Sequence, residues 1–325
     1  MSAGADAADV VRPDGLDGPQ AAEGADPGRV LVLGATSQVG RFLLPRLRAR
    51  GYPVEALSRR GRPEGYPELS GVRWIDPERS RRSVGDYAWL VSAGPLSLAL
   101  DYATAMAAVR GIAVTSSSSV LSKADSPDSR EQSEMEALRE AEEGLRDLAR
   151  RHRLPLLILR PTLVYGCGLD RNLTRIADLV RRFGVVPVSS RAGGLRQPVH
   201  ADDVAQALVA GLAPRDLREV VSPLCGGDTL DYRSMVRRVF AALDRKPRLL
   251  TLPPGVLAGA VKAAATLARR DDLGPEMVHR QARNLVFDDS EARRTLKVAP
   301  RRFHPGPDAF APPDPALIER LAAGH

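Results

Sequence analysis

Arg29-Val-Leu-Val-Leu-Gly-Ala-Thr-Ser-Gln-Val-Gly-Arg-Phe-Leu-Leu-Pro-Arg-Leu47 is the stretch that decides the fold. A short apolar run, 29–33, ends in a turn bounded by Gly34 and Gly40, after which Phe42, Leu43, Leu44 and Leu47 recur at helical spacing. The order is strand, glycine turn, helix. Similar apolar runs predict further strands over 53–57, 72–75, 89–92, 112–116 and 156–159. Helical patterns lie between some of them, notably over 96–109 and the charged stretch 131–151. Strands alternating with helices in this way predict an α/β fold with a doubly wound parallel sheet.

Beyond Tyr165 the rhythm loosens. Helices are expected over 173–183, 202–212, 232–243, 255–267 and 275–284, with a short strand over 197–199. The expected organisation is a Rossmann domain over 29–165 plus about 196–222, and a smaller, mostly helical substrate lobe over 166–195 and 223–311. Residues 1–28 read as a disordered acidic tail, because six carboxylates face only Arg12 and there is too little apolar surface to bury. Residues 312–325 read as a C-terminal tail.

The chain has 325 residues and a formal charge of +7. Only four of its 47 basic residues are lysine: Lys123, Lys246, Lys262 and Lys297. Aromatics make up 4% of the chain and its arginines are scattered, which argues against nucleic acid as a partner, since bases need stacking platforms. Phosphorylated small molecules account for the sign of the charge. Cys167 and Cys225 stand far apart, so neither a disulfide framework nor a cysteine-based metal site is indicated, and a reducing cytoplasm is the expected setting. No apolar run reaches the length of a transmembrane helix.

The Gly34–Gly40 turn can carry chemistry. A dinucleotide's pyrophosphate needs a backbone that approaches closely and a helix start that presents unpaired N–H groups, and this turn offers both. About twenty residues on, where a cofactor without a 2′-phosphate usually meets an acidic residue, stand Ser58, Arg59 and Arg60. Two guanidinium groups suit a 2′-phosphate, so NADP is expected rather than NAD.

The chain resembles the extended short-chain dehydrogenase/reductase superfamily, in particular its NAD(P)-dependent epimerase/dehydratase branch, which works largely on nucleotide sugars. The matching segments are 33–40, Thr115-Ser-Ser-Ser-Ser-Val120, Leu159-Arg-Pro-Thr-Leu-Val-Tyr-Gly166, Arg196-Gln-Pro-Val-His-Ala-Asp-Asp203, and Asp288-Asp-Ser-Glu-Ala292 with Leu296 and Pro300. The resemblance implies that Gly34, Thr36, Ser37, Gln38, Val39 and Gly40 cradle the pyrophosphate. It also implies that Asp76 faces the adenine, Ser92 and Ala93 line the ribose, and Pro161, Thr162 and Val164 pass the nicotinamide. Ser117 falls at the catalytic serine, and Asn172 and Arg196 at contacts to the substrate diphosphate. A homodimer is a further expectation, since relatives often dimerise. His200, and Asp202 and Asp203 after it, read as a structural hydrogen bond and helix caps rather than as acids or bases.

There are two departures from the pattern. Ser37 replaces the middle glycine of the turn. More seriously, active relatives carry a tyrosine with a lysine four residues later, and none of the six tyrosines here has one. The helix expected to bear the pair offers Glu134, Met135, Glu136, Leu138 and Arg139 instead. Losing a general acid typically removes about 10²–10⁴ in rate. Lys123, in the loop leaving the fifth strand, is the candidate replacement, and Tyr165 is the other possible donor. The expected function is an NADP-dependent oxidoreductase or epimerase acting by hydride transfer on a nucleotide sugar or related keto or hydroxy substrate. The alternative is a catalytically inactive NADP(H)-binding sensor or structural subunit. The apolar stretch 255–267 beside Arg269 and Arg270 also suggests an enzyme at a membrane surface acting on a lipid-linked sugar, although a core helix accounts for it more simply.

Overall fold

The structure is a computed structural model that describes residues 27–82, 87–106, 109–122, 129–212, 218–267 and 276–325. In the first half, strands β1 (Val30–Leu33), β2 (Val54–Leu57), β3 (Val72–Ile75), β4 (Trp89–Ser92), β5 (Gly111–Thr115) and β6 (Leu156–Pro161) alternate with helices. The helices are α1 (Gly40–Ala49), α2 (Pro77–Arg82), α3 (Leu96–Ala105), α4 (Ser119–Ser122) and α5 (Ser129–His152). Then come β7 (Val164–Tyr165), α6 (Leu173–Phe183), β8 (Val186–Ser189), β9 (Leu195–Arg196), β10 (Val199–His200), α7 (Ala201–Ala210) and β11 (Glu219–Leu224). The chain ends with β12 (Leu230–Asp231), α8 (Tyr232–Ala242), β13 (Leu249–Leu252), α9 (Pro254–Leu267), α10 (Glu276–Arg280), α11 (Ser290–Leu296) and α12 (Pro315–Ala322).

Seven strands form the central sheet in the order β11-β6-β5-β4-β1-β2-β3, and every pairing is parallel. Such a sheet needs cover on both faces, and its strands read as continuous apolar runs for that reason. Val30 and Val32 face one core with α1, α7 and α12; Leu31 and Leu33 face the other with α3 and α5. The doubly wound α/β fold expected from the sequence is therefore present. A third cluster, including Ile176, Val180, Val188, Val239 and Phe240, builds the helical lobe around the parallel pair β8–β13.

Three features depart from the sequence reading. β11 supplies a seventh strand that no pattern predicted; Ser222 and Pro223 interrupt its apolar character, and a proline is tolerated because the strand lies at the sheet edge. The expected C-terminal tail instead contains α12, whose Ile318 and Leu321 are buried against the core behind α1. The stretch over 255–267 is a helix but not a core helix: of its described side chains only Leu257 is buried, and Val256 is 58% exposed. The expected acidic tail, 1–28, lies outside the described residues up to position 26.

Candidate functional site

The strand order reverses between β1 and β4, the place where open α/β sheets form their ligand crevice. The loops that follow these two strands touch there. Gly34 has φ +68°, and a Cβ on it would stand 2.4 Å from Gly94 N and 2.5 Å from the Ala93 carbonyl carbon. A Cβ on Gly40 would lie 2.1 Å from the Gly34 carbonyl oxygen. Both glycines are required by close backbone approach. Ser37 does not obstruct the turn: its hydroxyl accepts the Gly40 N–H at 3.0 Å, and its carbonyl accepts the Arg41 N–H at 3.1 Å, so it caps the first turn of α1. Thr36 is exposed, Gln38 is half-buried and Val39 is buried. Gln38 Nε2 and, just after β5, Ser116 Oγ are buried with no hydrogen-bond partner among the described residues. Unpaired buried polar atoms are costly in a native fold. A tight glycine cradle, a helix start and two orphaned polar atoms at the carboxyl edge of the sheet fit a dinucleotide cofactor.

Ser58, Arg59 and Arg60 follow β2. Ser58 Oγ accepts the Arg60 N–H at 3.3 Å, and both arginine side chains are exposed, with no ion pair to a described residue. Asp76 follows β3 and is exposed. Ser92 is fully buried and its hydroxyl accepts the Gly94 N–H at 3.3 Å, so the surface at this edge comes from Ala93 and not from the Ser92 side chain.

A cleft of about 940 Å³ opens between the sheet edge and the lobe. It brings together Ser117, Thr162, Val164, Asn172 and Arg196, which lie up to 79 positions apart in the sequence. The Ser117 turn is held against β6, because Ser116 N–H donates to Leu159 O at 2.7 Å and Ser118 N–H to Pro161 O at 3.2 Å. Ser117 Oγ accepts the Ser119 N–H at 3.1 Å. Thr162 Oγ1 donates to Gln197 O, which fastens the segment leaving buried Pro161 to the loop after β9. Asn172 is exposed at the start of α6, with its N–H on Asp170 Oδ1 at 2.9 Å. Arg196 is committed to the fold: it is buried, and its guanidinium donates to Leu195 O at 2.7 Å, to Arg283 O at 2.6 Å and to Arg280 O. Burial lowers its pKa, the Tyr232 ring beside it opposes that, and Arg280 adds to it. The sequence reading missed Arg280, Arg283 and Glu131, which also line the cleft. No motif marks the first two, and Glu131 looks like any other acid on a charged helix.

Lys123, the proposed replacement for the absent pair, lies outside the described residues. Tyr165 is withdrawn as a proton donor. Its ring is 2% exposed in the lobe core, edge-on to His200 at 5.0 Å and to Phe303 at 4.9 Å, and it does not line the cleft. Burial raises its pKa well above the ordinary phenol range, against a weaker pull from Arg301. On α5, Glu134 is exposed and Leu138 is half-buried in the sheet-facing core. Glu131, one turn earlier, faces the cleft and accepts from Arg280 Nη1 at 2.7 Å.

His200 is structural, as its position before a helix suggests. Its Nδ1 accepts the Asp202 N–H at 3.1 Å and caps α7. Asp202 takes a two-point contact from Arg46 at 2.9 and 2.8 Å and a third from Arg301 at 2.7 Å. Burial opposes its ionisation, but these two arginines hold its carboxyl below the usual range; in Asp203 burial prevails over Arg301 and the pKa rises. Burial, with Arg301 beside it, pushes His200 down to about 3, against a smaller opposing effect of Asp202. The folded state therefore refuses a proton that the unfolded chain accepts below its ordinary value of 6.5. Stability from the neutral ring is fully present above that value and is lost as pH falls towards 3, at up to roughly 1.4 kcal/mol per pH unit. Urea titrations at about pH 7 and about pH 5 are expected to show a loss of about 2 kcal/mol in the native chain. The loss should be clearly smaller in His200→Asn, which keeps a capping side chain.

No model of a known protein family matches the chain. By sequence it is 26% identical over 223 residues to the uncharacterized protein y4nG of Sinorhizobium fredii, covering 66% of this chain and 55% of the relative. It is 27% identical over 161 residues to the UDP-glucose 4-epimerase of Vibrio cholerae, covering 50% of this chain and 47% of the relative. The chain thus spans about half the length of the curated relatives it matches. Among solved structures it is similar to an epimerase from Methanothermobacter thermautotrophicus, with a TM-score of 0.65 and 16% identity over 88% of this chain and 91% of that one. It is also similar to MoeE5 in complex with UDP-glucose and NAD, with a TM-score of 0.62 and 23% identity over 85% and 94%. In its fold, a seven-stranded parallel sheet with a glycine turn at the β1–β4 reversal and a helical lobe beside it, the chain is similar to both of these solved structures.

Proposed function

We propose that the chain is an NADP-dependent oxidoreductase or epimerase acting on a hydroxyl-bearing or keto carbon, with a nucleotide sugar or a related oxygenated molecule as substrate. The observation that carries this reading is one juxtaposition. Ser117 opens into the same cleft as Asn172 and the arginine-bearing lobe, at the sheet edge that also carries the glycine cradle. MoeE5, of similar fold, was solved with UDP-glucose and NAD, and this supports a nicotinamide cofactor and a nucleotide-sugar substrate. The exposed pair Arg59 and Arg60 favours the 2′-phosphate of NADP.

When bound, the nicotinamide supplies hydride exchange with the substrate carbon. The chain's own residues do the rest. Ser117 Oγ holds the substrate oxygen, while Thr162 and Val164 shape the cleft floor beside it. Glu131, fixed by Arg280, accepts the hydroxyl proton in the oxidising direction and returns it in the reducing one. Turnover of the purified chain with NADPH and a panel of 4-keto nucleotide sugars tests the reading. Ser117→Ala is expected to lower kcat about 100-fold while leaving NADPH affinity within twofold. A fall of less than about threefold would remove Ser117 from the reaction, and tighter binding of NADH than of NADPH would remove the role of Arg59 and Arg60.

A second reading is supported by α5 itself, which presents Glu134 to solvent and packs Leu138 inward, where the resemblance calls for a tyrosine and lysine. In that case the chain binds NADP(H) without turnover. Measurable NADPH affinity with no substrate-dependent oxidation across the whole panel would favour it.

A further inference from the structure

The cleft has two unlike ends. Ser117, Asn172 and the arginines lie at one. The wall made by β8, β13 and α9 consists of Val186, Pro187, Leu252, Leu257, Val261 and Ala264 with Ala260, and none of these side chains can donate or accept a hydrogen bond. A nucleobase or sugar lying along this wall would give up water without a side-chain partner, at a cost of roughly tenfold in affinity for each unpaired group. A hydrocarbon loses nothing there. The apolar character continues to the cleft mouth and beyond: Phe183 at the end of α6, which also lines the cleft, is 60% exposed, and Leu250 on β13 and Val256 on α9, outside the lining, are 51% and 58% exposed. Three large apolar side chains on the elements that frame one cleft form a rim, whereas isolated exposed apolar residues need no explanation. The small side chains of Ala260 and Ala264 leave the space between α9 and β8 open. At about 940 Å³ the cleft stands near the upper end of small-molecule sites, with room for a head group and a chain together.

We infer that the substrate is amphiphilic: its keto or hydroxy head lies at Ser117 and a hydrocarbon chain of several carbons runs along the α9 wall and out past the apolar rim. The inference rests on the proposed function for the head-group end only. The anionic part of such a molecule meets Arg182 and Arg283, both of which line the cleft.

Calorimetric titration of the full chain with n-alkyl monophosphates from four to ten carbons, below their micellar concentrations, tests the inference. Affinity is expected to rise roughly fourfold per added methylene until the wall is covered. Ala260→Phe, at an exposed helix position that the fold does not need, is expected to weaken the ten-carbon ligand at least tenfold and to leave the four-carbon ligand unchanged. Geranyl monophosphate set against the n-decyl compound tells an isoprenoid from a straight chain, and a gain over the four-carbon ligand with either supports the inference. Affinity that is flat with chain length, or a rise that Ala260→Phe does not alter, would overturn it. NADPH titration of the same preparations separates the two claims: chain-length dependence without NADPH binding supports the amphiphile and counts against the cofactor reading alone.

Discussion

Gly34→Ala is expected to abolish dinucleotide binding, with at least a 100-fold loss of NADPH affinity, and to lower stability by roughly 2–5 kcal/mol. Two costs add. An L-residue held at φ +68° carries about 1–2 kcal/mol of backbone strain. The new Cβ also meets Gly94 N at 2.4 Å and the Ala93 carbonyl at 2.5–2.6 Å, and these are backbone atoms that cannot swing aside, so overpacking adds about 1–3 kcal/mol. Relief requires the loops after β1 and β4 to part, and that parting destroys the cradle. Gly51→Ala is the control, with φ +79° but nothing within 4 Å of its Cβ; it should show the dihedral cost without loss of NADPH binding. If Gly34→Ala binds NADPH as the parent does, the Gly34–Gly94 contact is not the cofactor cradle.

Arg160→Met should be the most damaging single change away from the cleft, lowering stability by about 3–5 kcal/mol in urea titration. Glu142 on α5 has 5% side-chain exposure, and both its oxygens accept from Arg160 on β6, one of them from Nε at 3.0 Å. Removing the arginine strands a buried carboxylate. The double change Glu142→Leu with Arg160→Met should recover most of the loss, because a buried ion pair repays little more than its own desolvation. Recovery in the double variant would locate the cost in the unpaired charge; equal damage in both would locate it in packing. The pair matters for function because it docks α5 on the sheet, and so sets where Glu131 enters the cleft.

The first six strands and α6 were legible because each is a local pattern: an apolar run bounded by turn residues, or a 3.6-residue period. The spacing predicted α6 over 173–183, and the helix is Leu173–Phe183. β11 was not legible, since Pro223 and Ser222 break the run and only its pairing with β6 makes it a strand. α9 was read as a helix with the wrong environment, because its composition is that of a core segment although it lies over a cleft and not inside a core. Tyr165 looked like a donor from its place in the sequence; the aromatic contacts of His200 and Phe303 show why it is not one. Ser37 counted in the sequence only as a departure from the glycine pattern; that its hydroxyl accepts the Gly40 N–H at the helix start is a local arrangement that a single sequence does not display.

The sequence alone determined the doubly wound fold, the glycine turn after the first strand and the absence of a tyrosine–lysine pair, because each depends on residues within a few positions of one another. Only the tertiary structure decided what the cleft contains. Arg196 could be read as an anion contact until three carbonyls from 195, 280 and 283 closed on its guanidinium. Glu131 became a candidate base only through Arg280, 149 positions away. Periodicity tells which face of an element is buried, but the partner of a charged side chain comes from whichever distant segment packs against it, and no local pattern carries that information.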